Sequence, residues 1–197
     1  MDQGASIYSK TTVVCKGEWE MIFFTADTHF GHTNIIKFCD RPYDNIEAMD
    51  RALIDNWNKV VSPNDTVYHL GDFAFRNSKS LTYYVKQLNG KIHLILGSHD
   101  FKSGAYKRDD LFASINTMET IKHEKHEITL CHYAMRVWPK SHYNSLQLYG
   151  HSHGGLNPIG KQMDVGVDDT GYCPIHINDV IKRLNERPDN PGLIEKN

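Results

Sequence analysis

From Met21 onward, apolar and polar positions follow two different periods along the chain. Short apolar runs alternate with stretches in which apolar residues recur every three or four positions. The first pattern is typical of strands and the second of amphipathic helices. The apolar runs predict strands at residues 21–26, 66–70, 92–96, 128–131, 146–149 and 163–167.

Helical spacing appears between several of these strands. One helix begins near Asp44, where Glu47 follows three residues later as in a capping box, and it places Met49, Leu53 and Trp57 on one face. Two more helices are predicted at residues 78–89 and 178–184. Alternating strands and helices indicate a layered α/β protein. Because the later strands have short connections, a mixed sheet or a β-sandwich flanked by helices is favoured over a purely parallel sheet.

The pattern divides the chain into three segments. Residues 1–20 carry one β-like run and no helical pattern, so they are an extension, an added edge strand or an upstream start. Residues 21–187 form the predicted domain, which is large enough to bury a core without disulfides. Residues 188–197 hold two prolines and few apolar residues, and we expect a flexible tail there.

Composition excludes several classes of protein. The net charge of -2 gives no global attraction to a nucleic-acid backbone or an anionic membrane, although it is compatible with a local basic pocket. No apolar run approaches the ~20 residues that span a bilayer, and no secretory signal is visible. The four cysteines form no CxxC pair, so we expect reduced thiols and a cytoplasmic location.

The twelve histidines point to metal chemistry, because imidazole is the commonest transition-metal ligand. Several of them, and several aspartates, come directly after predicted strands, where open α/β sheets place their ligand sites. Such a crowd of charged groups needs cations, and His with Asp suits Zn, Mn, Fe or Ni better than Ca or Mg. The residues after successive strands are Asp27 and His29, then Asp72, then Ser98, His99 and Asp100, then His132, and finally His151 and His153.

Each motif differs in specificity. Asp27-Thr28-His29 is weak, because an Asp-x-His pair occurs readily by chance in a chain rich in both residues. Gly150-His151-Ser152-His153 is stronger, and its alternate spacing puts both imidazoles on one side of an extended segment. A single histidine is more often a hydrogen-bonded structural residue than a ligand. The ordered set, each member after a strand, argues for a site.

In this order the motifs resemble the calcineurin-like metallophosphoesterase family, in its small single-domain prokaryotic and phage branch. The resemblance covers residues 21–170 and implies a four-layer α/β fold, a two-sheet β-sandwich flanked by helices. It also implies two divalent metal ions as cofactors, with Asp72 as the bridging ligand. One metal would be held by Asp27, His29 and His153, and the other by His132 and His151.

The resemblance assigns roles to the segment after the third strand as well. His99 would face the leaving group as general acid, and Asp100 would orient its imidazole. Ser98 stands where the family has an asparagine whose carbonyl oxygen binds the second metal. A serine hydroxyl is a shorter and weaker ligand, so we expect a weakened second site. A natural variant, an engineered substitution and a decaying site all remain open.

Further candidates would contact substrate. His32, Arg41 and Arg136 are predicted substrate-binding residues, with structural roles as the alternatives. Lys140 is a weaker candidate for the pocket rim, and Trp138 is a packing residue that could stack a nucleobase. Asp164 and Asp168 are expected to orient ligating imidazoles or to complete strand pairing. His69 lies inside a strand and is expected in the core.

The leading functional hypothesis is a metal-dependent phosphoesterase acting on a phosphodiester. No large insertion forms a cap over the site, so nucleotide or nucleic-acid substrates could enter. The alternatives are a phosphomonoesterase and a non-catalytic interaction module on the same scaffold, as in the retromer subunit of this fold. We expect neither membrane association nor an obligate protein partner.

Overall fold

A computed structural model of the chain describes residues 20–76 and 79–192. The predicted N-terminal extension lies outside the described residues apart from Glu20. The described chain contains these strands: β1 Ile22–Thr25, β2 Thr66–His69, β3 Lys91–Ile95, β4 Ser114–Asn116, β5 Met118–His123, β6 His126–Cys131, β7 Leu146–Tyr149, β8 Gln162–Asp164 and β9 Ile175–His176. All six predicted strands are present, and β4, β5 and β9 are additional.

The strands form two sheets. The five-stranded sheet has the order β4-β3-β2-β1-β9, in which the first four strands are parallel and β9 runs antiparallel to β1. The four-stranded sheet has the order β5-β6-β7-β8, with β5 and β6 forming an antiparallel hairpin and the other pairs parallel. Parallel neighbours in each sheet end at the same edge, and this is where the polar motifs follow.

The described helices are α1 Thr33–Phe38, α2 Ile46–Val60, α3 Leu81–Val85, α4 Ser98–Ser103 and α5 Ile177–Asn185. Helix α2 is capped by Asn45, whose side chain accepts the Ala48 N–H at 2.9 Å, so it begins one residue later than predicted. Helix α3 is shorter than predicted. The backbone N–H groups of Gln87 and Leu88 donate to carbonyls three residues earlier, instead of the four of an α-helix, so the chain continues as turns. Within the described ranges, no helix is long and apolar enough to cross a membrane.

Two apolar cores hold the layers together. The first lies between the five-stranded sheet and helices α2 and α3, and is centred on residues such as Met49, Trp57 and Tyr84. The second lies between the two sheets, where Phe24 and Ile95 meet Leu148, with α5 packed at its edge. Fully burying side chains of this size contributes roughly 1.5–3 kcal/mol each. The predicted two-sheet sandwich flanked by helices is therefore confirmed.

The outer face of the four-stranded sheet is covered by residues 132–145 rather than by a helix. Gln147 on β7 donates to the Tyr133 carbonyl at 3.1 Å, and Trp138 is buried with its Nε1–H on the Ser145 carbonyl. The described part of the predicted flexible tail, residues 188–192, is anchored against this layer at Asn190, and residues 193–197 lie outside the described residues. Its side chain bonds to Lys161, Ser141 and Ser145.

Candidate metal centre

The candidate site lies where strands of both sheets end side by side. β1 and β2 pair in parallel, which brings the segments after them together: the Asp27 N–H donates to the Gly71 carbonyl and the His29 N–H to the Asp72 carbonyl. The second sheet joins them through a backbone bridge between Ala26 and Gly166. Within that sheet, a bond from the Gly150 N–H to the His132 carbonyl brings the segments after β6 and β7 together. The topology therefore gathers the motifs into one place.

The predicted ligands fall into two adjacent groups, each with its ligand atoms within 4.8 Å of one another. Both groups match the sets that the family resemblance implies. His99 forms a further such group with His29 and Asp72, so it borders both. The first group is Asp27, His29 and His153, and the second is Asp72, His132 and His151.

Asp72 lies between the two groups. Its Oδ2 is 3.7 Å from Nε2 of His29 in the first group and 3.5 Å from Nε2 of His132 in the second. Its other oxygen, Oδ1, accepts the backbone N–H of His99 at 2.8 Å. Asp27 repeats the arrangement: Oδ2 accepts the His151 N–H at 2.8 Å, while Oδ1 is buried without a partner. Each carboxylate thus braces a ligand-bearing loop and keeps one oxygen for an ion.

Unpaired lone pairs show that the residues fit divalent metal ions. Nδ1 of His132 must donate to the Leu70 carbonyl, 2.7 Å away, so Nε2 of the neutral ring turns a lone pair towards Asp72. That Nε2 and both nitrogens of His29 are buried without partners. The lone pair of the neutral ring and that of the carboxylate repel each other unless a proton or a metal cation lies between them.

The electrostatics agree with this reading. Burial lowers the pKa of His29 well below its usual value, so its imidazole is neutral and able to ligate. Burial raises the pKa of Asp27 to about 7. Burial alone would lower the pKa of His132, but the neighbouring carboxylates of Asp72 and Asp27 outweigh it and raise this pKa to about 9. The site therefore attracts a proton, or a metal ion in its place.

Backbone strain is concentrated at the same residues. Ten non-glycine residues of the described chain have positive φ, a region that costs about 1–3 kcal/mol for most side chains. Half of these ten are candidate ligands, so the loops are bent to aim side chains inward at the expense of stability. They are Asp27 (φ 56°), His29 (49°), Asp72 (55°), His151 (68°) and His153 (48°).

Two glycines of the motifs are required by close packing. A Cβ on Gly71, which has φ 93°, would lie 2.6 Å from Nδ1 of His132 and from the Gly97 nitrogen. A Cβ on Gly150 would lie 2.6 Å from Oδ2 of Asp27. Any larger residue would push these ligands out of place.

His153 is held by a carboxylate and a guanidinium behind it. Its Nδ1–H donates to Oδ2 of Asp168 at 2.6 Å, which leaves Nε2 free for a metal, as expected for Asp168. Asp168 is in turn bound by Arg41 through Nε and Nη2, both at 2.8 Å. Arg41 is 3% exposed and also donates to the carbonyls of Asp27 and Thr28. The prediction that Arg41 binds substrate is wrong, because its donors are used inside the protein.

The predicted role of Asp100 in orienting the His99 imidazole is also wrong. Asp100 is buried in the first turn of α4, and its carboxylate accepts the backbone N–H groups of Gly97, Asp72 and Phe73 at 2.8–3.0 Å. It therefore fixes the turn after β2 to the turn after β3. Asp164 likewise accepts Ser152 Oγ–H and the Gly154 and Gly166 N–H groups, and so shapes the ligand loop instead of orienting an imidazole.

His99 and Ser98 occupy the first turn of α4, after the Gly97 cap. The His99 ring is half-buried and lies edge-on to His29, with 4.9 Å between ring centroids. This places it beside the ligand groups, where the general-acid prediction requires it. Ser98 is also half-buried.

The remaining predicted substrate residues differ in position. His32 is buried near the centre, 5.4 Å from the His29 ring, and stacks on Phe75 at 4.1 Å. Arg136 is exposed and lines an apolar cavity with Met135 and Ile159, apart from the ligand groups.

The other two weaker candidates have structural roles. Lys140 pairs with Glu127 at 2.6 Å, and Trp138 is too buried to stack a base. His69 is fully buried, as predicted.

Sequence reasoning missed two neighbours of the centre. Phe75 stacks on His32 and lies 5.9 Å from the His99 ring, and Cys39 lies within ligand distance of His153 and Asp168. Neither belongs to a motif. Only the position of Phe75, three residues after Asp72, could have drawn attention to it.

Comparisons with known proteins agree with the geometry. A family model, the calcineurin-like phosphoesterase superfamily domain, matches residues 21–159. An uncharacterised protein of Methanocaldococcus jannaschii, MJ1445, is 33% identical over 174 residues, which cover 84% of this chain and 92% of that protein. The gene 66 protein of Mycobacterium phage L5 is 33% identical over 81 residues, 40% of this chain and 39% of that protein.

A solved structure has the same fold. AQ665 of Aquifex aeolicus, a protein of unknown function, matches with a TM-score of 0.66 at 27% identity, over 83% of this chain and 99% of that chain. Archaeal and phage relatives fit the small single-domain branch that the motifs indicate. This chain belongs to the calcineurin-like phosphoesterase superfamily.

Proposed function

We propose that the protein is a two-metal phosphodiesterase with His99 as general acid. The observation that carries the proposal is the position of Asp72, whose Oδ2 faces a ligand imidazole of each group at 3.7 and 3.5 Å. One metal would be held by Asp27, His29, Asp72 and His153, and the other by Asp72, His132 and His151. Mn, Fe, Zn and Ni all suit this donor set.

When bound, such a pair of cations activates water and offsets the charge of the phosphoryl oxygens. The chain supplies the rest. The His99 backbone N–H is fixed on Asp72 at 2.8 Å, which holds its ring beside the centre. There it can donate a proton to the departing alkoxide, a contribution of typically 10²–10⁴-fold. A covalent phosphoenzyme is not needed.

A diester is favoured over a monoester by charge. The Arg41 guanidinium is bound to Asp168, and Arg136 lines a different cavity. Neither of the predicted arginines is therefore placed to bind the additional negative charge of a monoester dianion. We propose a phosphodiester substrate of nucleotide type and no obligate protein partner. The retained ligands and His99 argue against a purely structural scaffold.

The test compares bis-p-nitrophenyl phosphate with p-nitrophenyl phosphate in protein reloaded with Mn²⁺. We expect turnover of the diester to exceed that of the monoester. Asp72→Asn should lose both metals or their coupling, measured by elemental analysis, whereas the matched control Asp55→Asn, on the exposed side of α2, should not. Two metals and full rate in Asp72→Asn would refute the bridging role. Protein that holds two metals but cleaves no phosphoester would refute the enzyme.

A further inference from the structure

A row of aromatic rings leads outward from His99 to the surface. Phe75 lies 5.9 Å from the His99 ring, and His32 stacks on Phe75 at 4.1 Å with only 2° between the ring planes. Phe38, at the end of α1, follows at 6.3 Å from His32. We call these three residues, Phe75, His32 and Phe38, the aromatic row.

The row reaches the surface at its outer end, Phe38. His32 is buried, Phe75 is half-buried and Phe38 is 73% exposed. A single exposed phenylalanine is ordinary on a protein surface. Here, however, Phe38 contacts His32 edge-on, at 75° between the ring planes, and His32 stacks on Phe75 beside the proposed acid. The exposed ring therefore provides an apolar surface near the site.

Positive charge accompanies the row. Lys37 precedes Phe38 and Arg76 follows Phe75 in the sequence, and both are exposed. Aromatic surfaces next to cations are the combination that binds single nucleotides and single-stranded nucleic acids, because every base has a π-face and every phosphate a negative charge. Trp138 cannot supply the stacking surface, since it is buried on the far face of the other sheet.

We infer that the aromatic row binds a nucleobase carried by the leaving group of the substrate. The inference rests on the proposed function, because it takes the side of His99 as the leaving-group side. Phe38 and Phe75 are then specificity-determining residues, and the substrate class is a phosphodiester in which the departing alcohol is a nucleoside. Stacking adds affinity without requiring a particular base.

The test uses two compounds with the same leaving oxygen. One is thymidine 5′-methyl phosphate, and the other is its abasic analogue with hydrogen in place of thymine. Because both release a primary 5′-hydroxyl, chemistry alone cannot distinguish them. We expect kcat/KM for nucleoside release to exceed that for the abasic alcohol by about 5- to 100-fold, the range of one base–aromatic stack. Phe38→Ala and Phe75→Leu should bring the ratio towards one.

The matched control is Tyr143→Ala. Tyr143 is 77% exposed and lines a cavity with Lys125 and Asn144, apart from the centre. Removing its ring should leave the preference unchanged. An equal preference in wild-type protein and Phe38→Ala would overturn the inference.

A binding measurement separates this inference from the proposed function. Affinities of both compounds are measured by calorimetry on Mn²⁺-loaded His99→Asn protein, in which turnover does not interfere. Tighter binding of the thymidine compound that is lost with Phe38→Ala supports the row even if wild-type protein cleaves neither compound, in which case only the proposed hydrolysis fails. Equal binding of the two compounds overturns the row, whether or not they are cleaved.

Discussion

The Arg41 guanidinium grips the Asp168 carboxylate through two parallel hydrogen bonds, each 2.8 Å long. Asp168, held in place in this way, accepts a 2.6 Å hydrogen bond from the candidate ligand His153 and so fixes the orientation of its ring. Both side chains of the Arg41–Asp168 pair are largely removed from water. Their mutual attraction offsets the cost of desolvation only while both are present, because removing one leaves the other as an unpaired buried charge. An arginine near the start of the domain thereby fixes the orientation of an imidazole near its end.

Asp168→Asn should weaken metal binding at the first site about 10- to 100-fold, because the amide no longer attracts the Nδ1–H as a carboxylate does. It should also lower the free energy of unfolding by about 3–5 kcal/mol, since Arg41 is left buried without its anion. Metal titration and urea unfolding measure the two effects. The neighbouring Asp169→Asn, at an exposed position, serves as control. Unchanged metal affinity would show that His153 does not depend on Asp168.

Ser98→Asn should tighten the second site. Loss of one neutral ligand is expected to cost roughly 1–3 kcal/mol, or about 5- to 100-fold in affinity, by analogy with a broken buried polar contact. Added Mn²⁺ should therefore raise the rate of wild-type protein well above its as-purified level. The asparagine variant should reach a higher rate at lower metal concentration.

Ser98→Ala is the matched control, because it removes the hydroxyl without adding a carbonyl. If the serine oxygen is not a ligand, the curve of rate against metal concentration for Ser98→Ala should overlay that for wild-type protein. Identical curves for Ser98→Asn and wild type would mean that another group already fills the position.

The sequence predicts the fold and most of the centre, because strand periodicity and the motifs after the strands can be recognised from residues close together in the chain. Asp27 and Asp72 follow buried strands whose parallel pairing brings their ends together. His132 and His151 follow a second parallel pair in the other sheet. The short strand β9 and the helix α4 are missed, because two strand residues and one glycine-capped turn carry no periodic signal.

Side-chain partners could not be predicted from the sequence. Arg41 and Asp168 lie 127 positions apart, and nothing in the local pattern pairs them. Asp100 is adjacent to His99, which suggests an interaction, but neighbours on a helix point in different directions. Its carboxylate turns inward to three backbone N–H groups instead.

Backbone strain at His151 should be measurable. His151 is exposed and has φ 68°, so its side chain adds strain without being buried in the core. In metal-free protein, His151→Gly should be more stable than His151→Ala by about 1 kcal/mol, because both lose the imidazole and only alanine keeps a Cβ in the left-handed region. Urea unfolding with EDTA compares them. An alanine variant as stable as the glycine variant would show that the loop relaxes.

His69 should make stability depend on pH. Thr28 Oγ–H donates to the Phe73 carbonyl at 2.7 Å, so Nε2–H of His69 donates to Thr28 at 2.9 Å, and Nδ1 is buried without a partner. A proton on Nδ1 would therefore be a buried, unpaired charge. Burial lowers the pKa of His69 from 6.5 to about 3, and His132 adds to this while Asp72 opposes it.

Because this folded-state pKa lies below the unfolded value, the unfolded chain takes up the proton first and stability falls as pH drops below 6.5 towards 3. Between pH 7 and pH 5 the loss from this one group should be about 2 kcal/mol. His69→Gln keeps a donor for Thr28 but cannot titrate, so the difference in unfolding free energy between wild type and variant should shrink by that amount over the interval. Metal-free protein is used, so that protonation of the metal-binding side chains affects wild type and His69→Gln equally. Parallel stability curves for the two proteins would show that His69 binds its proton as readily folded as unfolded.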